Sequence, residues 1–320
     1  MSDPGTTRPA VAGGALRWLA ATRPAFLSIT LLAVVFGLSH AAWRSTLTAP
    51  DTAVLLLTLI GAWLAHAGAN VLNDVADDDN GSDRANVDRV APFTGGSRFI
   101  QLGLVSRSAM HRFGWSLLAA SALCGFALLA ATDWRLLIFG LGGLLLASAY
   151  SLPPLQLMSR GLGELAVILA WLLIVAGSDF IWRRQFDGAA WLAGLPLALQ
   201  TGLILIANQI PDRAADLRAG KRNWIVRLDA TQAVLPYIAL LVAAYLAIVV
   251  ACGLGALPAG SLIALAAAPI GIAASRRIQR YSTQPQHLAS PIRLTLLQAH
   301  LVGALLTLGL FIDISFRTTP

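Results

Sequence analysis

Apolar residues run along this chain in long, nearly unbroken stretches, and polar residues gather between them. Nine stretches are long enough, or nearly so, to span a bilayer core of roughly 30 Å. They lie near 24–43, 51–72, 108–131, 134–150, 162–182, 189–210, 231–253, 258–275 and 291–313. Each predicts a transmembrane helix, because in lipid a helix satisfies its own backbone polar groups. The expected fold is an all-α integral membrane protein, a bundle of nine transmembrane helices. Residues 1–23 form a tail, 24–313 a single membrane domain and 314–320 a second tail. The first stretch exceeds the usual signal-peptide core of roughly 7–15 residues, and a second follows almost at once, so it reads as a span.

Composition agrees. Of 320 residues, 57% are hydrophobic and 12% charged, and the mean hydropathy is +0.69. Those values describe a membrane protein, not a soluble enzyme, and leave no soluble domain over. The net charge of +7 reads as loop charge and not as a nucleic-acid surface. With the N-terminus inside, only Arg44, Arg135, Arg183, Arg184 and Arg317 of the 23 basic residues fall on the outer side. That asymmetry sets the orientation. Trp43, Trp134, Trp182 and Trp191 fall at the expected outer boundary, either as an aromatic belt or as ordinary lipid-facing or core residues. Cys124 and Cys252 show no metal spacing and read as packing.

The chemistry lies where two of the stretches end. The second closes in "GANVLNDVADDDNGSD" and the sixth in "ANQIPDRAADLRAGKRNWIVRLD". Both begin Ala-Asn-x-x-x-Asp, as Asn70 to Asp74 and Asn208 to Asp212, and each has another Asp about one turn on, Asp77 and Asp216. Spans two and six run in the same direction, so both signatures emerge on one side. Asn70, Asp74 and Asp77 stand at i, i+4 and i+7, and Asn208, Asp212 and Asp216 at i, i+4 and i+8. Each set therefore shares a helix face. Carboxylates at membrane depth cost roughly 2.5–3.5 kcal/mol each on insertion scales and mark function. Two such faces across a cavity would repel one another unless a cation joined them. Hard oxygen ligands, few in number, suit Mg²⁺ that keeps waters and shares phosphate oxygens. Asp78, Asp79 and Asp88 read instead as a solvated acidic loop.

The second signature continues into "GKRNWIVRL", which holds Lys221, the one lysine in the chain. Lys221, Arg222 and Arg227 are candidates for binding phosphate oxygens, and ordinary positive-inside charge is the other reading. Arg84 and Arg89 carry the same two readings. Carboxylates for Mg²⁺ beside cations for phosphate describe a diphosphate site. A membrane cavity next to it suits a long apolar tail, so the expected substrate is a prenyl diphosphate.

These residues resemble the UbiA superfamily of intramembrane prenyltransferases over almost the whole chain. Asn73, Asp74, Asp77 and Asp83 match the first Asp-rich motif; Asp212, Asp216, Gly220, Lys221 and Arg222 match the second. "GSD" at 81–83, "GGSRFIQLGLVS" at 95–106, "RGLGEL" at 160–165 and "GKRNWIVRL" at 220–228 are most similar to the menaquinone branch, the 1,4-dihydroxy-2-naphthoate polyprenyltransferases. Asn223-Trp224 and Phe26 depart from that branch's usual pattern.

The resemblance implies a nine-helix bundle around a central cavity, open sideways to lipid and capped by loops 2–3 and 6–7. It implies Mg²⁺-dependent transfer of a polyprenyl group from its diphosphate to an aromatic acceptor at the cytoplasmic side of the plasma (inner) membrane. The acceptor would be 1,4-dihydroxy-2-naphthoate, or alternatively 4-hydroxybenzoate, homogentisate or another aromatic. Asp74, Asp77, Asp83, Asp212 and Asp216 are then the expected metal ligands, with Asn70 and Asn208 orienting them or binding metal. Tyr150 in "AYSLPPL" faces the acceptor or steadies an allylic cation through its ring, or is an interfacial Tyr. Ser151 and Glu164 are expected at the acceptor, with Glu164 alternatively an acidic residue at a helix N-terminus. His66 reads as a helix–helix hydrogen bond, and Gly95-Gly96 as a turn. A transporter also carries intramembrane carboxylates, but near the midplane instead of at one face. A lipid-binding protein without catalysis does not require two intact acidic motifs.

Overall fold

The computed structural model describes residues 13–318. Among them every regular element is a helix. The helices are α1 (Ala15–Ala21), α2 (Pro24–Arg44), α3 (Thr52–Asp79), α4 (Ser82–Ala85), α5 (Arg107–Ala131), α6 (Leu137–Ala149), α7 (Gly163–Arg183), α8 (Gly188–Arg218), α9 (Val234–Gly253), α10 (Ala268–Tyr281) and α11 (Ala289–Thr318). Eight helical segments among the described residues are long and apolar enough to cross a bilayer. The ninth expected span is shorter: a 3₁₀ turn, Trp134–Leu136, leads into α6, and the pair covers only Trp134–Ala149. At 1.5 Å per residue that pair falls short of a core of roughly 30 Å.

Both expected tails contain helix in the structure. Residues 1–12 of the N-terminal tail lie outside the described residues, but its second half folds as α1. The last helix runs through 314–318, and 319–320 lie outside the described residues.

Local chemistry sets the helix starts. Pro24 opens α2, where a missing N–H costs nothing. Ser106 caps α5 by accepting from Ala109 N, and Asp187 caps α8 by accepting from Ala189 N. The main core lies where α2, α7, α8, α9 and α11 meet, around Phe36, Val175, Leu197, Ile206 and Tyr237. α3 packs on α5 through small residues: a Cβ added to Gly114 would lie 2.7 Å from Leu72 Cγ, so the two backbones need glycine there to approach. His66 bonds Thr30 Oγ1 at 2.7 Å and meets Trp171 edge-on, joining α2, α3 and α7.

Candidate active site

α3 and α8 both end beside one cavity of about 410 Å³. Asp77 lies in the last turn of α3, and Asp83 follows in α4; Asp212 and Asp216 lie in the last two turns of α8. All four line the cavity, as do Asn70, Asn73, Asn208, Tyr150, Lys221 and Arg23. Pro211 lacks the N–H that would bond the Ala207 carbonyl, so α8 is loosened one residue before Asp212.

Lys221 connects the two acidic segments. Its Nζ lies 2.7 Å from Asp77 Oδ1 and 2.9 Å from Asp216 Oδ1. Burial opposes its charge, but the Asp77 and Asp216 carboxylates outweigh burial and hold the ammonium above its usual range. Asn223 adds a 2.8 Å bond to Asp216 Oδ2. Asn86 donates to Asp212 Oδ1 at 2.6 Å, and Thr94 also bonds Asp212. Burial and the charges of Asp77 and Asp74 push Asp83 up to about 7.

Asp74 departs from the expectation that it faces the cavity as a metal ligand. It is buried behind the wall, paired with Arg23, and its Oδ2 accepts from Ser97 N at 3.0 Å. Arg23, at φ 56, turns the chain so that its guanidinium lines the cavity. Gly96 lies at φ +67, and a Cβ there would come within 2.7 Å of Asp83 Oδ2 and 2.9 Å of Asp74 Oδ1. It therefore makes a turn and also lets the loop pass two carboxylates.

Other expected contacts are corrected. Arg84 is exposed and pairs with Asp78 at 3.2 Å. Asp78, expected to be solvated, is buried and also accepts from Gln101. Arg222 and Arg227 are exposed and do not line the cavity; Arg227 instead bonds the Arg222 and Arg160 carbonyls. Ser151 is buried away from the cavity. Glu164 is also fully buried and off the cavity, where its Oε1 accepts from Trp224 N at 3.0 Å. Arg227 and Glu164 fasten the loop 220–228 to the preceding loop 150–162 and to the start of α7; Trp224 Nε1 to Gly161 O at 3.0 Å is another tie.

Tyr150 does line the cavity, and burial together with the Glu164 charge raises its phenol above its usual range. Asn70 donates to Thr22 O at 3.0 Å, while Asn208 Oδ1 is buried without a partner. Arg23, Asn86, Thr94 and Asn223 were not expected at the site. Their signal is positional: each precedes a span or sits in a loop, where helical spacing says nothing.

Among the described residues, no three His, Cys, Asp or Glu side chains converge into a ready metal cage. The donor set still fits Mg²⁺. Asp77, Asp83, Asp212 and Asp216 face Lys221 and Arg23, and Arg23 is already matched by Asp74. A diphosphate entering that negative surplus needs divalent cations, and Mg²⁺ typically takes one or two carboxylates, waters and phosphate oxygens.

Below the carboxylates the wall is apolar, with Leu128, Phe139, Ile174 and Ile181 among its residues. Phe126 of α5 and Leu137 and Leu141 of α6 also line the cavity, yet are 64%, 39% and 57% exposed. The cavity therefore opens sideways between α5 and α6.

Comparison with known proteins adds the relationship. The sequence profile described as the UbiA prenyltransferase family matches residues 30–297. A 1,4-dihydroxy-2-naphthoate octaprenyltransferase of Escherichia coli (strain K12) is 27% identical over 92% of this chain and 95% of its own. The protein of that name from Mycobacterium tuberculosis is 32% identical over 81% of this chain and 85% of its own. A solved UbiA homolog from Archaeoglobus fulgidus, bound to GPP and Mg²⁺, superimposes with a TM-score of 0.65. It is 18% identical and covers 93% of this chain and 99% of its own.

Proposed function

The chain belongs to the UbiA prenyltransferase family, and on that premise we propose that it moves a polyprenyl group from its diphosphate to 1,4-dihydroxy-2-naphthoate in a Mg²⁺-dependent reaction. It is a multi-pass membrane prenyltransferase. The proposal adds the acceptor, the long donor, the metal and a cytoplasm-facing site in the plasma (inner) membrane. The observation that carries it is the joining of the two acidic helix ends by Lys221 at the mouth of an apolar cavity.

Asp77, Asp83, Asp212 and Asp216, with Asn70 and Asn208 beside them, would hold Mg²⁺, which would supply charge neutralisation for a departing diphosphate. Lys221 and Arg23 are the cations this chain aims at the same space. Asp74 holds Arg23 in place. The allylic C–O bond breaks with its electron pair on the diphosphate, leaving a cation that water would destroy. The apolar wall excludes water, and the Tyr150 ring at its rim can steady positive charge. The acceptor carbon then attacks, and its carboxyl group leaves as CO₂.

The acceptor is supported by the activity for which the relatives are named and by the loop motifs. Membranes containing the protein are given a polyprenyl diphosphate, Mg²⁺ and either acceptor. Prenylated product with CO₂ release from the naphthoate is the expected result. A prenylated hydroxybenzoate that keeps its carboxylate, with no naphthoate turnover, would overturn the acceptor.

A further inference from the structure

Between Asp229 and Asp313 the chain has no acidic residue, yet it carries Arg276, Arg277, Arg280 and Arg293. All four are exposed. Among the described residues, none of the four forms an ion pair, whereas Arg23, Arg44, Arg84, Arg107, Arg135 and Arg183 each pair with an Asp. Other arginines also lack an ion pair, but these four gather where α10 turns into α11, in a stretch of chain with no carboxylate of its own.

The side chains there are held in place. Arg277 donates to Ser290 Oγ across the turn. Arg280 lies 5.3 Å over the Tyr281 ring, which contacts His287 with centroids 5.0 Å apart. Arg293 lies 5.8 Å over Phe93, a residue of the cavity wall, so the cluster sits at the carboxylate end of the bundle. A groove runs past His287, Ser290 and Arg293 to Leu294 and Leu297. Leu297, one turn beyond Arg293, is 49% exposed. Cationic donors at the level of a head group, continuous with an apolar strip one turn deeper, match one kind of molecule.

We infer that this groove binds an anionic phospholipid, its phosphate at Arg293 and Ser290, where Arg277 bonds Ser290 from the groove's edge, and an acyl chain along Leu294 and Leu297. A zwitterionic lipid brings a cation that Arg293 and the neighbouring Arg277 repel; an anionic one does not. Basic pockets between membrane helices select anionic head groups on this principle. The site is separate from the carboxylate cavity and does not rest on the transfer reaction.

The test uses the full-length protein in phosphatidylcholine nanodiscs, titrated with phosphatidylglycerol, with retained lipid counted by native mass spectrometry. The wild type is expected to retain phosphatidylglycerol over phosphatidylcholine. Each of R277Q and R293Q should weaken it about fivefold, and the double variant about 25-fold. R293K should keep most of the affinity, and R184Q, an exposed arginine outside the cluster, should keep all of it. If the double variant does not fold, R293Q alone carries the test. Equal retention of the two lipids by the wild type would overturn the site. So would unchanged binding in a folded R293Q. Loss of the lipid to millimolar inorganic diphosphate would also overturn it, by showing a general anion site.

Discussion

Lys221 Nζ lies 2.7 Å from Asp77 Oδ1, so a lysine carried beyond the end of α8 closes onto the end of α3. The same ammonium reaches Asp216. Removing it leaves two buried carboxylates without their shared counter-charge. Breaking such a pair costs about 3–5 kcal/mol when one partner goes. K221M is expected to lower the thermal midpoint in detergent and to reduce turnover on the order of 10²-fold or more. K221R keeps the charge and should recover much of the stability. Equal midpoints for K221M and wild type would remove Lys221 as the link.

Asp212 and Asp78 separate position from charge. Asp212 lines the cavity and accepts from Asn86; Asp78 pairs with the mostly exposed Arg84. An ion pair with so exposed a partner contributes about 0–1 kcal/mol. D212N should therefore cost on the order of 10²–10³ in turnover, and D78N less than about tenfold. Turnover at several Mg²⁺ concentrations checks both. Similar losses in the two variants would mean that bulk negative charge, not the cavity face, matters.

Arg23 and Asp74 are expected to act as a unit, since Asp74 is engaged by the arginine and does not reach the cavity. The single variants R23Q and D74N should each reduce kcat/KM for the prenyl diphosphate. The double variant should lose less than the product of the two, with a coupling of about 0.5–3 kcal/mol. Strictly multiplicative losses would return Asp74 to an independent role.

Glu164 is expected to hold the 220–228 loop without touching substrate. Its buried carboxylate accepts the Trp224 N–H, and hydrogen bonds to charged groups contribute about 1.5–3 kcal/mol. E164L should expose Arg222 and Arg227 to faster cleavage by trypsin, and E164Q, which keeps an acceptor oxygen, should slow that cleavage again. The KM for the diphosphate should rise in E164L more than kcat falls. Wild-type cleavage rates in E164L would exclude the positioning role.

What could be read in the sequence was whatever obeys helical spacing. The Asp77 and Asp216 positions follow from acidic residues a turn or two apart at the ends of apolar stretches, and the bundle follows from the stretches themselves. Asp74 shows the limit of the same rule. It shares a face with Asp77 by spacing, but Arg23 captures it, and no periodicity reports a partner 51 positions away. Asn86, Thr94 and Asn223 come from loops whose course depends on turns such as that at Gly96. Arg84 and Arg227 show a second limit: charge and motif position do not distinguish an arginine aimed at substrate from one that pairs with Asp78, as Arg84 does, or bonds backbone carbonyls, as Arg227 does.

The sideways opening between Phe126, Leu137 and Leu141 changes what concentration means for this enzyme. A hydrophobic donor reaching the site through that gap travels in two dimensions, and the product returns by the same plane without crossing water. The quantity that saturates the enzyme is then the donor's mole fraction in the membrane, not its amount per litre. Adding inert lipid at fixed donor dilutes the surface and slows the reaction, although the bulk donor concentration is unchanged.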